Sequence, residues 1–149
     1  MLEIKRTTSD HIDFQKLVVS LDKDLALKNG EDNDFFVQFN KIDALKYVVL
    51  AYLNNKVAGC GAIKHFDDDT VEVKSMFVSP ECRGSGIASK IINELEVWAT
   101  ELGYKKCVLE TGDKMVEAIN LYKKCGYQVI SNYGQYRDVE SSICFEKSL

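Results

Sequence analysis

The hexapeptide Arg83-Gly84-Ser85-Gly86-Ile87-Ala88 stands between an alternating run that closes at Val78-Ser79-Pro80 and a strongly amphipathic stretch that begins at Ile87. A chain built around that junction has to pass from strand to helix through a segment nearly bare of side chains. Glycine at two positions lets the backbone come close to a ligand, and the unpaired amides that open the helix converge where an anion is stabilised. Arg83 adds a mobile positive charge, so the segment reads as a cradle for a pyrophosphate.

The elements around the junction follow from periodicity. Glu3 to Arg6 is predicted as a first strand, followed by Ser9 or Asp10 as an N-cap and a helix with Ile12, Leu17, Val18, Leu21 and Leu25 on its apolar side, ending at Asn29-Gly30. A second, less regular helix is expected over residues 31–46. Lys46 to Leu53 and Lys56 to Lys64 form a hairpin around Asn54-Asn55, since asparagine tolerates positive φ. Thr70 to Val78 alternates Val71, Val73, Ser75 and Phe77 against Glu72, Lys74, Met76 and Val78, as a strand with one side partly open would. Asp67-Asp68-Asp69 before it reads as a solvated turn.

Beyond the glycines, Ile87, Ile91, Ile92, Leu95, Trp98, Ala99 and Leu102 describe one helix face that stops at Gly103. Lys106 to Thr111 is the next strand, Met115 to Cys125 a helix with Gly126 as its stop, and Tyr127 to Ser131 and Ser142 to Lys147 are closing strands. The order predicts an α/β (α+β mixed) protein with a central mixed sheet of about seven strands flanked by about four helices.

Composition narrows the partners. At 149 residues the chain is expected to be one domain, residues 1–149. A net charge of -4 with scattered lysines and arginines argues against nucleic acid. No apolar run approaches the ~20 residues of a membrane span, and Met1-Leu2-Glu3-Ile4-Lys5 lacks a signal core, so a cytoplasmic location is expected. Five cysteines without a Cys-x-x-Cys pair read as reduced thiols and not as a metal site, so no metal is expected. Exposed sheet edges are compatible with a homodimer.

Two phosphate loops can be compared with the junction. A Walker loop fails because no second glycine precedes Lys90. The dinucleotide fingerprint comes closer, with Ser89 in the third glycine position and Glu110 at the acidic one, but it requires a buried parallel strand directly before the first glycine.

The segment from Met76 to Ala88 resembles the acetyl-CoA signature of the GCN5-related N-acetyltransferases (GNAT), Gln/Arg-x-x-Gly-x-Gly/Ala, with Arg83, Gly86 and Ala88 in its three fixed places. Leu121-Tyr122-Lys123-Lys124-Cys125-Gly126-Tyr127 resembles that family's second signature, Leu-Tyr-x-x-x-Gly-Phe/Tyr. Leu109-Glu110-Thr111-Gly112 is similar to a subgroup of uncharacterised bacterial members. The resemblance implies acetyl-CoA as cosubstrate, bound by Met76, Phe77, Val78, Arg83, Gly84, Ser85, Gly86, Ile87 and Ala88, with the strand edge at Phe77 and Val78 pairing with pantetheine.

In the same resemblance the Val78 amide polarises the thioester carbonyl and Tyr122 protonates the departing thiolate. An amine of pKa about 10 must lose a proton before it attacks, which calls for a base. Glu72 occupies a position resembling the family's general base, and Glu110 is the other carboxylate that could take the proton or bind a cationic acceptor. Asp34, Tyr133 and Tyr136 fall where the acceptor wall is expected. Met115 stands where many members carry a pantetheine-binding asparagine. The implied activity is acetyl transfer to a primary amine of a small molecule or peptide by direct attack in a ternary complex. The competing class is a non-catalytic acyl-CoA-binding or regulatory domain.

Overall fold

The computed structural model describes residues 1–29 and 44–149. Seven strands form one mixed sheet: β1 (Leu2–Thr7), β2 (Tyr47–Leu53), β3 (Lys56–Asp67), β4 (Thr70–Val78), β5 (Lys106–Gly112), β6 (Gln128–Ile130) and β7 (Ser142–Ser148). Their spatial order is β1-β2-β3-β4-β5-β7-β6, and only β4 and β5 run parallel. Three α-helices lie among the described residues: α1 (Ile12–Asn29), α2 (Ile87–Glu101) and α3 (Val116–Lys124). Most of the further helix expected over residues 31–46 lies outside them, as does Asp34.

The hairpin turn is as the asparagines suggested, with φ of 52° at Asn54 and 68° at Asn55. Gly103 and Gly126 both adopt positive φ directly after the helices they end. The N-terminus of α1 differs from expectation. Ser9 is buried, and its hydroxyl accepts the Leu45 amide at 2.9 Å. His11 stands in the capping position instead, its Nδ1 accepting the Asp13 amide at 3.1 Å. Ile12 is 57% exposed, and Phe14 joins Leu17, Val18 and Leu21 on the buried face.

Two apolar layers sandwich the sheet. On one side α1 packs Phe14, Leu17, Val18 and Leu21 against Val48, Leu50, Cys60, Ala62 and Phe77. On the other, Ile87, Ile91, Ile92, Leu95 and Ala99 of α2 meet Val49, Val71, Val73, Val78 and Leu109. Phe77 is therefore on the opposite side from Val71 and Val73, against the simple alternation read from the sequence. The cause is a bulge. Cys60 pairs with Phe77 but Ala62 pairs with Lys74, so β4 carries one extra residue, and Ser75 takes φ 57° there. One inserted residue exchanges the faces of everything beyond it. Nor is the Glu72 side of β4 open, since Glu72 itself is buried.

The bulge leaves β4 and β5 joined over a short stretch. Thr70, Val71 and Glu72 register with Lys106, Cys107 and Val108, and beyond that the parallel strands no longer pair. The resulting wedge in mid-sheet is where the candidate site sits.

Candidate active site

At the end of β4, Val78 registers with Gly59 while the Ser79 amide donates to the Ala58 carbonyl at 2.8 Å. In an antiparallel ladder that parity turns the Val78 N–H and C=O away from β3 and into the wedge. A 3-10 turn over Pro80–Cys82 then carries the chain to the glycines. Gly84 and Gly86 hold φ of 87° and 79°, and nothing lies within 4 Å of where a Cβ would project on either. The first α2 amide with an intrahelical partner is that of Lys90, which donates to Gly86 at 3.2 Å, and no side chain caps the helix. The amides of Ile87, Ala88 and Ser89 therefore face the open space above the loop, as an anion receptor requires.

This loop forms one wall of a cleft of about 350 Å³. Met76, Phe77, Val78, Arg83, Gly84, Gly86, Ile87 and Ala88 all line it. Ser85 does not; its hydroxyl donates to the Cys82 carbonyl at 3.0 Å and fixes the turn. The Ile87 side chain is buried in the core, so its contribution to the cleft is through its backbone. Arg83 donates from Nε to the Val78 carbonyl at 2.9 Å, and its guanidinium lies 3.7 Å from the Asp24 carboxylate of α1. Asp24 also pairs with Lys28 at 3.1 Å. Asp24 and Lys28 line the cleft from α1, and sequence reasoning missed both, because their i,i+4 spacing reads as an ordinary exposed pair. Cys82 lines the same cleft, and Cys125, at the end of α3, donates its thiol to the Ser89 hydroxyl at 3.8 Å.

A second cavity, of about 90 Å³, occupies the wedge between β4 and β5. Glu72 and Lys74 from β4 and Glu110 from β5 line it together with Tyr136. The Tyr133 hydroxyl donates to Glu72 at 2.6 Å, and the Lys74 ammonium is 3.7 Å from the other Glu72 oxygen. The Tyr133 ring is held edge-on by Phe66 and Tyr136. Burial and the neighbouring Glu72 charge push the Tyr133 hydroxyl well above the ordinary phenol range. Glu110 accepts the Ser142 hydroxyl at 2.6 Å. Burial, reinforced by the Glu72 charge, pushes the Glu110 carboxyl up to about 7, despite the opposing Ser142 hydrogen bond and Lys74 charge.

Tyr122 lines both cavities, with Met76 and Met115 beside it. Its ring packs against Tyr127 and Phe145, and its hydroxyl has no hydrogen-bonding partner among the described residues. Burial raises its pKa far above that of a free phenol, so it keeps its proton at neutral pH. Cys60, Cys107 and Cys144 are buried, with thiols pushed up to about 12, 11 and 11 by desolvation. Among the described residues no helix is long and apolar enough to cross a membrane.

Residues 16–127 match the model of the acetyltransferase (GNAT) family. The chain is 34% identical over 102 residues to an IAA acetyltransferase of Azospirillum brasilense, covering 68% of this chain and 67% of that protein. It is 31% identical over 101 residues to the uncharacterised N-acetyltransferase YsnE of Bacillus subtilis, covering 66% and 67%. Among solved structures, a GNAT family acetyltransferase from Elizabethkingia anophelis with acetyl-CoA bound superposes with a TM-score of 0.70 at 20% identity, over 99% of this chain and 98% of that one.

Proposed function

Because the chain belongs to the acetyltransferase (GNAT) family, whose cosubstrate is acetyl-CoA, we propose that it transfers an acetyl group to the primary amine of a small molecule or peptide by direct attack in a ternary complex. One observation carries the reading. A phenol with no hydrogen-bonding partner among the described residues, Tyr122, stands where the cleft of the glycine loop meets a cavity holding a carboxylate raised toward neutrality.

Bound acetyl-CoA supplies the acetyl group and a thiolate leaving group. The open amides of the Gly84 to Ser89 segment, with Arg83 swung from Asp24, hold its pyrophosphate. The Val78 amide, turned into the wedge, donates to the acetyl carbonyl as charge develops on it. Glu110 takes the proton from the incoming ammonium, since its pKa of about 7 leaves a useful fraction ionised at neutral pH. Glu72 is the base that the sequence favours, but its oxygens already face the Tyr133 hydroxyl and Lys74. We assign it to orienting the acceptor wall. Tyr122 gives its proton to the sulfur and recovers one from the second N–H that the attacking nitrogen sheds as the amide forms. Cys60, Cys107 and Cys144 are buried and line neither cavity, so none of the three is placed to carry an acyl intermediate.

Release of free thiol from acetyl-CoA across a panel of amines tests the activity, and Tyr122→Phe tests the role. The variant should lose roughly a hundredfold or more in kcat while its affinity for CoA stays nearly unchanged. A panel in which acetyl-CoA binds but no amine releases thiol would sink catalysis in favour of a binding module.

A further inference from the structure

The acceptor cavity carries an arrangement of charge that the transfer chemistry does not require. Among its described lining residues three are charged: Glu72, Lys74 and Glu110. Lys74 is unusual there. Its side chain is only 13% exposed and Glu72 only 11%, and the ammonium faces a Glu72 oxygen at 3.7 Å, with the Tyr133 hydroxyl on the other oxygen at 2.6 Å. Glu72 is thus supplied with a cation and a donor from within the protein. Among the described residues Glu110 receives one neutral donor, Ser142, and its raised pKa reflects a carboxylate that burial leaves short of positive charge. The rest of the described lining mixes apolar side chains, among them Leu21, Leu25, Met76 and Met115, with the polar Ser75, Thr111, Tyr122 and Tyr136.

On the acetyltransferase reading above, we infer that Lys74 is a specificity-determining residue, a built-in ammonium beside Glu72 that leaves, among the described residues, one cationic seat in the cavity, at Glu110. The acceptor class that fits is a small monoamine. A short terminal diamine brings a second ammonium into about 90 Å³ already holding Lys74, where an uncompensated charge is costly to bury. Removing the Lys74 charge vacates the Glu72 seat and should admit the diamine.

The test compares matched pairs of short acceptors, propylamine against diaminopropane and butylamine against diaminobutane, by thiol release from acetyl-CoA. The native protein should favour each monoamine in kcat/KM by roughly tenfold or more. Lys74→Met should erase or reverse that preference, and Lys74→Arg, which keeps the charge, should retain it. Diamines used as well as or better than monoamines by the native protein would overturn the inference while leaving acetyl transfer intact, and this comparison needs no variant to fold. An unchanged ratio in a folded Lys74→Met protein would overturn it too. If no pair releases thiol the inference falls, and a rise in melting temperature with acetyl-CoA would then show that cofactor binding survives without the proposed transfer.

Discussion

Glu110 is the residue whose chemistry is most open to measurement. If it takes the amine proton, kcat/KM should climb as pH rises through about 7, and Glu110→Gln should abolish that limb along with most of the activity. Stability should move the other way. The folded protein holds this proton more tightly than the unfolded chain, whose carboxyl titrates near 4.5, so the contribution is complete below 4.5 and lost as pH rises through about 7. The loss is on the order of 3 kcal/mol. Denaturant unfolding of native and Glu110→Gln protein across that window should show the native curve falling relative to the variant, and parallel curves would exclude a raised Glu110. Much of the candidate site at this scale was legible in the sequence. Arg83, Gly86, Ala88 and Tyr122 stand in two local motifs whose spacing survives without knowledge of the fold. Ser142 was not legible as a site residue, because it meets Glu110 across strands far apart in the chain, and Lys74, two residues from Glu72 on the same strand, reads as part of an open polar face. Asp24 and Lys28 reach the cleft through the packing of α1, which one helix's periodicity does not disclose.

Among the elements, β4 does the most to shape the molecule. Its boundaries were readable, Thr70 and Val78, but its faces were not, since the Ser75 bulge leaves no mark in the hydrophobic pattern beyond a weak alternation. Serine at φ 57° carries a modest strain, whereas a β-branched residue is strongly opposed to that conformation. Ser75→Val should therefore destabilise the fold by about 1–3 kcal/mol, or straighten the strand and return the Val78 amide to the β3 side. Either result weakens acetyl-CoA binding, which calorimetry would read alongside the melting temperature. Retention of full affinity and stability would mean that the bulge does not set the direction of Val78. The hairpin at Asn54-Asn55 and the stops at Gly103 and Gly126 were fully legible for the opposite reason, because a positive φ restricts residue choice at the position itself.

For the whole molecule, the central fact is that its two half-sheets share three registered pairs, at Thr70, Val71 and Glu72 with Lys106, Cys107 and Val108. A ligand seated against β4, the glycine loop and α3 contacts both halves and binds only the folded state. At a concentration 100 times its dissociation constant, acetyl-CoA should add about 2.7 kcal/mol and raise the melting temperature by about 5–10 °C. A flat thermal shift over that range would contradict a preformed cofactor cleft. The distribution of sulfur has its own consequence. Cys60, Cys107 and Cys144 are sealed in the core, whereas Cys82 and Cys125 are partly exposed, one in the cofactor cleft and the other beside Ser89 at its edge. A brief pulse of maleimide should therefore alkylate those two and spare the other three, and saturating CoA should shield Cys82. Peptide mass mapping of the alkylated chain would then read the fraction of molecules carrying cofactor, in a mixture or a cell extract, without any knowledge of the acceptor.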